Sequence, residues 1–219
     1  MADSLQSILD ARKAQWAEKA PDSTKKAYNK GIADVIQKGV LAQAKQLGDQ
    51  APDFSLFNAT NQSVRLADLL QDGPVILTWY RGGWCPYCNL TLRRLQDELA
   101  RFQVMGATLI ALTPELADKS LSTQEKNDLS FEVLSDLHNA VAKEYGVVFS
   151  LTPEVADMYQ KGFDLHGYND DESNELPLAA TYVIDRAGTI RYAFLDAEYR
   201  HRAEPEDLLQ VLEQLKNES

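Results

Sequence analysis

The sequence predicts an α/β fold, with a mixed central sheet flanked by helices and an N-terminal helical extension ahead of it. Three observations carry that expectation. Up to about residue 47, apolar residues recur at helical spacing and no strand signal interrupts them. Beyond Gly48, short runs of strand length alternate with amphipathic runs of helix length. Residues 74–80 form an unbroken apolar and aromatic run, the pattern of a strand covered on both faces. On its sequence the chain therefore divides into a helical extension at 1–47 and a sheet domain at 48–219.

Taken in order, Leu5, Ile8, Leu9 and Trp16 mark a first helix, and Ala27, Ile32, Val35, Ile36 and Val40 mark a second. Pro21 ends the first, and Ser23 is the expected cap of the second. This Ala-, Lys- and Gln-rich segment holds no evident chemistry and reads as a packing or dimerising arm. Residues 54–57 and 63–66 flank a polar turn and suggest a hairpin. The buried strand at 74–80 leads into a helix from 86 to about 102, then a strand at 107–112 and a helix near 115–126. A short strand at 132–134 and a helix from about 138 to 145 follow, and residues 152–175 read as polar and irregular. Two strands at 181–184 and 190–195 are joined by Asp185-Arg186-Ala187-Gly188, and a last helix runs from about 206 to 216.

Composition narrows the function classes. A chain of 219 residues, 44% of them hydrophobic, can bury a sizeable core. Its 33 acidic and 22 basic residues give a net charge of −11, which repels phosphate backbones and anionic lipid. Neither nucleic acid nor a membrane surface is an expected partner. Apolar runs such as Val75-Ile76-Leu77 are a fraction of the roughly 20 residues a membrane span needs. The start, Met1-Ala2-Asp3-Ser4, lacks the basic and then apolar regions of a signal peptide, so a cytoplasmic location is expected.

The two cysteines, Cys85 and Cys88, stand three apart in Arg81-Gly82-Gly83-Trp84-Cys85-Pro86-Tyr87-Cys88, where the buried strand gives way to a helix. Pro86 suits the first helical position, which puts Cys85 near the N-cap and Cys88 in the first turn. Free N–H groups and the positive end of the helix dipole favour a thiolate there, and thiolates attack peroxides and disulfides. Residues three apart at a helix start can also close into a disulfide, a reversible two-electron switch. Structural zinc needs more ligands, and His138, His166 and His201 are isolated, so no metal or other cofactor is expected. Leu92, Leu95, Leu99 and Phe102 share one stripe of the helix, which turns Cys88 inward and leaves Cys85 at the open end of the loop. Gly82 and Gly83 permit a tight fold and close approach of a substrate, or form a simple flexible turn. Arg81 is either a cation beside the thiolate or a solvated loop residue. Trp84 and Tyr87 either pack round the sulfurs and shape a partner surface or belong to the core.

The run from Val75 into Trp84-Cys85-Pro86-Tyr87-Cys88 resembles the thioredoxin fold, and Cys85-Pro86-Tyr87-Cys88 is a tetrapeptide found in glutaredoxins. Gly48-Asp49-Gln50-Ala51-Pro52-Asp53-Phe54, Phe131-Glu132-Val133-Leu134-Ser135-Asp136 and Thr181-Tyr182-Val183-Ile184-Asp185-Arg186-Ala187-Gly188 are similar to segments of peroxiredoxins of the alkyl hydroperoxide reductase and thiol-specific antioxidant family. The matches extend over about residues 48–195. The resemblance implies a thioredoxin-like domain and a thiol-dependent peroxidase: one cysteine becomes a sulfenic acid, and the other condenses with it to a disulfide. It implies a hydroperoxide substrate, a thioredoxin-like or glutathione reductant, and a homodimer for which the N-terminal helices offer an arm.

Aligning Tyr80 with peroxiredoxins puts Cys88 at the peroxidatic position and leaves Cys85 as an exposed resolving cysteine, whereas thioredoxins attack with the first cysteine, here Cys85. The arginine that peroxiredoxins carry at the start of the late strand has no counterpart at Ala179. Two other readings stand beside the antioxidant peroxidase: a disulfide oxidoreductase without peroxidase activity, and a redox-responsive binding module.

Overall fold

The computed structural model of the chain describes residues 4–218. Residues 1–3, on which the signal-peptide expectation partly rests, lie outside the described residues. The chain opens with α1 (Leu5–Lys19), α2 (Asp22–Gln37) and the single turn α3 (Val40–Gln43). Ser4 caps α1, its hydroxyl accepting the Ser7 N–H at 3.1 Å. The expected cap of the second helix is corrected: Pro21 occupies the N-cap of α2, and Ser23 lies inside the helix. Asp22 supplies the negative charge that the first turn favours.

The hairpin β1 (Ser55–Phe57) and β2 (Ser63–Arg65) forms as expected, followed by α4 (Leu66–Asp72). The central elements are β3 (Val75–Trp79), α5 (Pro86–Val104), β4 (Thr108–Thr113), α6 (Ala117–Lys126), β5 (Glu132–Ser135) and α7 (Ala140–Glu144). Then come β6 (Val148–Ser150), α8 (Pro153–Phe163), α9 (Leu165–Asn169) and β7 (Glu175–Pro177), and the chain closes with β8 (Thr181–Ile184), β9 (Ile190–Phe194) and α10 (Pro205–Glu218). The stretch read as irregular thus holds two helices. Thr152 and Pro153 start α8 in the usual cap and first-turn positions, and Val155, Ala156 and Tyr159 form its buried stripe. The stripe is short and set among charged residues, so only packing against α2 makes it decisive.

Five strands build the central sheet in the order β5-β4-β3-β8-β9. β3, β4 and β5 run parallel, while β8 is antiparallel to both β3 and β9, which makes the sheet mixed. Every residue of β3 is buried, as its continuous apolar run requires. Alternation along the strand sends Ile76 into a cluster with α1, α5 and α10, and Val75, Leu77 and Trp79 into one with α4 and α7 on the opposite face.

The first of those clusters matters for chemistry. Leu5 and Leu9 of α1 are fully buried in the same cluster as Cys85, Cys88, Leu92 and Leu95. The N-terminus of α1 is pinned across the fold by Glu204, whose carboxylate accepts the Leu5 and Gln6 N–H groups at 3.0 and 2.7 Å. Leu9→Ala is expected to destabilise the protein by about 2–5 kcal/mol, read from urea unfolding, because a large buried side chain leaves a cavity. A change near zero would mean that α1 does not share this core.

Candidate active site

The end of β3 aims the chain at the site. After Trp79, the Tyr80 N–H still pairs with Leu112 of β4, and the chain then turns through Arg81, Gly82, Gly83 and Trp84. The Cys85 N–H closes the turn onto the Gly82 carbonyl at 3.0 Å, and Cys85 is the N-cap of α5, with Pro86 in its first turn. Glu115 fixes the loop from behind. It lies fully buried and accepts the Gly83 N–H at 2.7 Å, so it serves the cysteine loop, while Leu116 is the N-cap of the next helix. Burial pushes the Glu115 carboxyl above its ordinary range, opposed by the Gly83 N–H and neighbouring hydroxyls. Asn89 adds a second brace, donating to the Gly83 and Cys85 carbonyls at 2.8 and 3.1 Å. The Asn127 side-chain amide in turn donates to Asn89 at 2.8 Å.

Gly83 sits tightly against α6: a Cβ there would stand 2.0 Å from the Thr123 hydroxyl. Gly83→Ala is therefore expected to displace the loop, lowering stability by about 1–3 kcal/mol and changing the rate of thiol alkylation. Calorimetry and alkylation kinetics check it, and a wild-type melting temperature and alkylation rate would remove the close approach from the account.

Both cysteines are free thiols, with exposures of 0% for Cys85 and 1% for Cys88. The expectation of an exposed Cys85 at the open end of the loop is therefore corrected. It fails because α1 and the segment around Ala203 close over α5, a tertiary contact that no local pattern announces.

Arg81 is not a solvated loop residue: it is 3% exposed, and its Nη2 lies 3.2 Å from the Cys85 Sγ. Its other terminal nitrogen donates to the Tyr159 hydroxyl at 3.3 Å, and the guanidinium stacks 4.2 Å over the Tyr199 ring and 5.2 Å from the Trp84 ring. A second cation, Arg202, escaped the sequence reading altogether. It is 5% exposed, reaches to 3.5 Å from the Cys88 Sγ, and is held by the Tyr199 and His201 carbonyls. The only sequence signal for it is a short basic run, Arg200-His201-Arg202, in an acidic chain.

These contacts divide the charge unequally between the sulfurs. Burial works against ionising Cys85, but the Cys88 thiol donating to its sulfur and the Arg81 and Arg202 cations hold it well below the usual thiol range. Burial, together with the role of donor to Cys85, pushes the Cys88 thiol well above that range. These contacts favour the thiolate at Cys85 and the neutral thiol at Cys88. Trp84, half-buried, stacks on Phe163 at 4.4 Å, and Tyr87, buried, meets Tyr199 edge-on at 5.8 Å. All six residues singled out in the sequence, Arg81, Gly83, Trp84, Cys85, Tyr87 and Cys88, lie in this one corner of the fold.

A family model described as the AhpC/TSA family matches residues 47–193. The putative peroxiredoxin bcp of Buchnera aphidicola subsp. Schizaphis graminum is 33% identical over 100 residues, covering 46% of this chain and 63% of that protein. The chloroplastic peroxiredoxin Q of Oryza sativa subsp. japonica is 27% identical over 172 residues, 77% of this chain and 67% of that one. The match to the bcp protein thus spans slightly less than two thirds of its length. Among solved structures, peroxidoxin BcpB from Mycobacterium tuberculosis superposes with a TM-score of 0.61 at 22% identity, over 78% of this chain and 97% of its own. The thioredoxin-like architecture expected from the resemblance is the one observed.

Proposed function

The chain belongs to the AhpC/TSA family, and from that premise we propose that it is a thiol-dependent peroxidase that reduces hydroperoxides through Cys85 and Cys88. The observation that carries the reading is the Arg81 guanidinium 3.2 Å from the Cys85 sulfur in a buried corner at a helix N-terminus. Such surroundings favour a thiolate over a thiol. In the proposed cycle the Cys85 thiolate attacks the outer peroxide oxygen, the O–O bond breaks, and the leaving alkoxide takes a proton to become an alcohol. The Cys88 sulfur, giving up its proton, then displaces water from the Cys85 sulfenic acid and forms the disulfide. An external dithiol, thioredoxin-like or glutathione-derived, returns both thiols by exchange.

The assignment of attack to Cys85 departs from the alignment, which favours Cys88. It rests on the charge: the nucleophile is the sulfur that the cations and the hydrogen bond ionise, and Cys88, as donor, is the resolving partner. Arg81 would also donate to the peroxide oxygen as the negative charge builds.

Two free thiols fit a reducing compartment, and we take the cytoplasm as the location. Among the described residues no helix is long and apolar enough to cross a membrane. Exposed Ile36 on α2 makes the N-terminal segment a candidate homodimer face, which solution mass of an Ile36→Asp variant tests.

Adding one equivalent of hydrogen peroxide to the reduced protein tests the function. Loss of two thiols and two mass units, much faster than with free cysteine, is the expected result. Slow loss, together with rapid reduction of insulin or of a glutathione mixed disulfide, would select the disulfide oxidoreductase instead.

A further inference from the structure

Beside the cysteine pair lies a cavity of about 140 Å³ whose walls are almost entirely aromatic. Trp16 and Tyr28, from α1 and α2, close one side of it, with their rings 5.5 Å apart, and Tyr28 continues to Tyr159 at 6.0 Å. Trp84, Tyr87 and Tyr199 form the other side, with Arg81 on the wall that backs onto Cys85. We propose that this cavity is a binding subsite for the organic group of a hydroperoxide, sized for one aromatic ring or a branched alkyl group, and that Trp16 and Tyr28 set that selectivity.

Three observations lead there. The first is size: an apolar cavity of about 150 Å³ is known to hold one benzene ring, and the volume here is close to that. The second is polarity. Arg81 and Tyr87 both line the cavity at 3% and 5% exposure, and the Arg81 Nε and Tyr87 hydroxyl have no hydrogen-bond partner among the described residues. The Trp84 indole N–H is likewise unpartnered. Buried donors are rarely left unpaired, and the oxygens of a hydroperoxide are acceptors. No acidic side chain lines the cavity.

The third observation is place. Arg81 is shared between the cavity and the Cys85 sulfur, so a peroxide whose organic group rests on the rings presents its O–O group at the guanidinium that guards the thiolate. Trp16 and Tyr28 lie outside residues 47–193, so this wall is added by the N-terminal helices to the part of the chain that matches the family. The substrate assignment rests on the peroxidase reading above. In the balanced reaction ROOH and two thiols give ROH, water and the disulfide, so the organic group remains in the cavity as an alcohol until it leaves.

That alcohol supplies a probe independent of turnover. The reduced full-length protein is titrated with 2-phenyl-2-propanol, the alcohol formed from cumene hydroperoxide, while the tryptophan indole resonances and the binding heat are followed. Wild type is expected to bind it saturably, with shifts at two indoles. Trp16→Ala and Tyr28→Ala, both at half-buried positions, are each expected to weaken binding about tenfold and to lower the rate ratio of cumene hydroperoxide to hydrogen peroxide by a similar factor. Circular dichroism checks that each variant keeps its helices. No saturable binding by wild type, or unchanged affinity in both variants, overturns the subsite even if hydrogen peroxide is turned over normally. Binding that behaves as expected while neither peroxide is reduced overturns the peroxidase reading, and the substrate assignment with it.

Discussion

Cys85→Ser is expected to abolish peroxide reduction, lowering kcat/KM by at least about a thousandfold, because no other group at that position can become a soft anion. Cys88→Ser should behave differently. Its hydroxyl can still donate to the Cys85 sulfur, so the first oxidation should run within a few-fold of the wild-type rate, but it cannot resolve the product. The protein should then stop after one equivalent as a Cys85 sulfenic acid, which dimedone traps as a mass adduct on the peptide carrying Cys85. The asymmetry is what counts. Rapid peroxide oxidation of Cys88 in the Cys85→Ser protein would reverse the assignment and restore the order suggested by alignment with peroxiredoxins.

The second large effect is expected at Arg81. Methionine there keeps most of the packing against Tyr199 and Trp84 but removes the charge 3.2 Å from the Cys85 sulfur. An adjacent cation lowers an acid's pKa by about 1–3 units, so its loss should move the acid limb of the rate profile up by about that much, and below the shifted pKa the rate should fall about tenfold for each unit. The pH dependence fixes the sign. A thiol is charged above its pKa, so in wild type, where Cys85 is held low, the rate should be level through neutrality and decline only on acidification through that low value. In Arg81→Met the same rise should move to higher pH, and alkaline conditions should recover much of the lost rate. Arg81→Lys should lie between the two, since lysine keeps the charge without the planar fork. An Arg81→Met profile that coincides with wild type would leave the thiolate without its principal cation and contradict the electrostatic account.

Much of this site was legible because its signals are local. An unbroken apolar strand, two glycines, a proline suited to the first turn and two cysteines three apart fall within residues 75–88, and the structure brings them together as a strand, a braced loop and a helix N-terminus. What escaped was contributed from far away. Arg202 stands 114 residues from Cys88, on a segment whose path depends on how α10 docks, and nothing in its neighbours points to a thiol. Cys85 is buried in the same cluster as Leu5 and Leu9, whose helical spacing showed an apolar stripe without saying what it packs against. Tyr159 illustrates the same limit, since it sits on a helix that the sequence read as irregular and yet it receives the Arg81 hydrogen bond. Ser23 errs in the opposite direction: a good local cap was passed over because Pro21 is already the N-cap and the helix starts two residues earlier.

The central claim, that Cys85 alone carries the reactive charge, is tested most directly by following thiolate absorbance in the ultraviolet as pH is varied. The titration is run on the reduced wild type, Cys85→Ser and Cys88→Ser proteins. Wild type and Cys88→Ser should each show a step for one thiolate well below the free-cysteine value of about 8.5, and Cys85→Ser should show none there. A low step that survives in Cys85→Ser and vanishes in Cys88→Ser would contradict the account and hand the chemistry to Cys88.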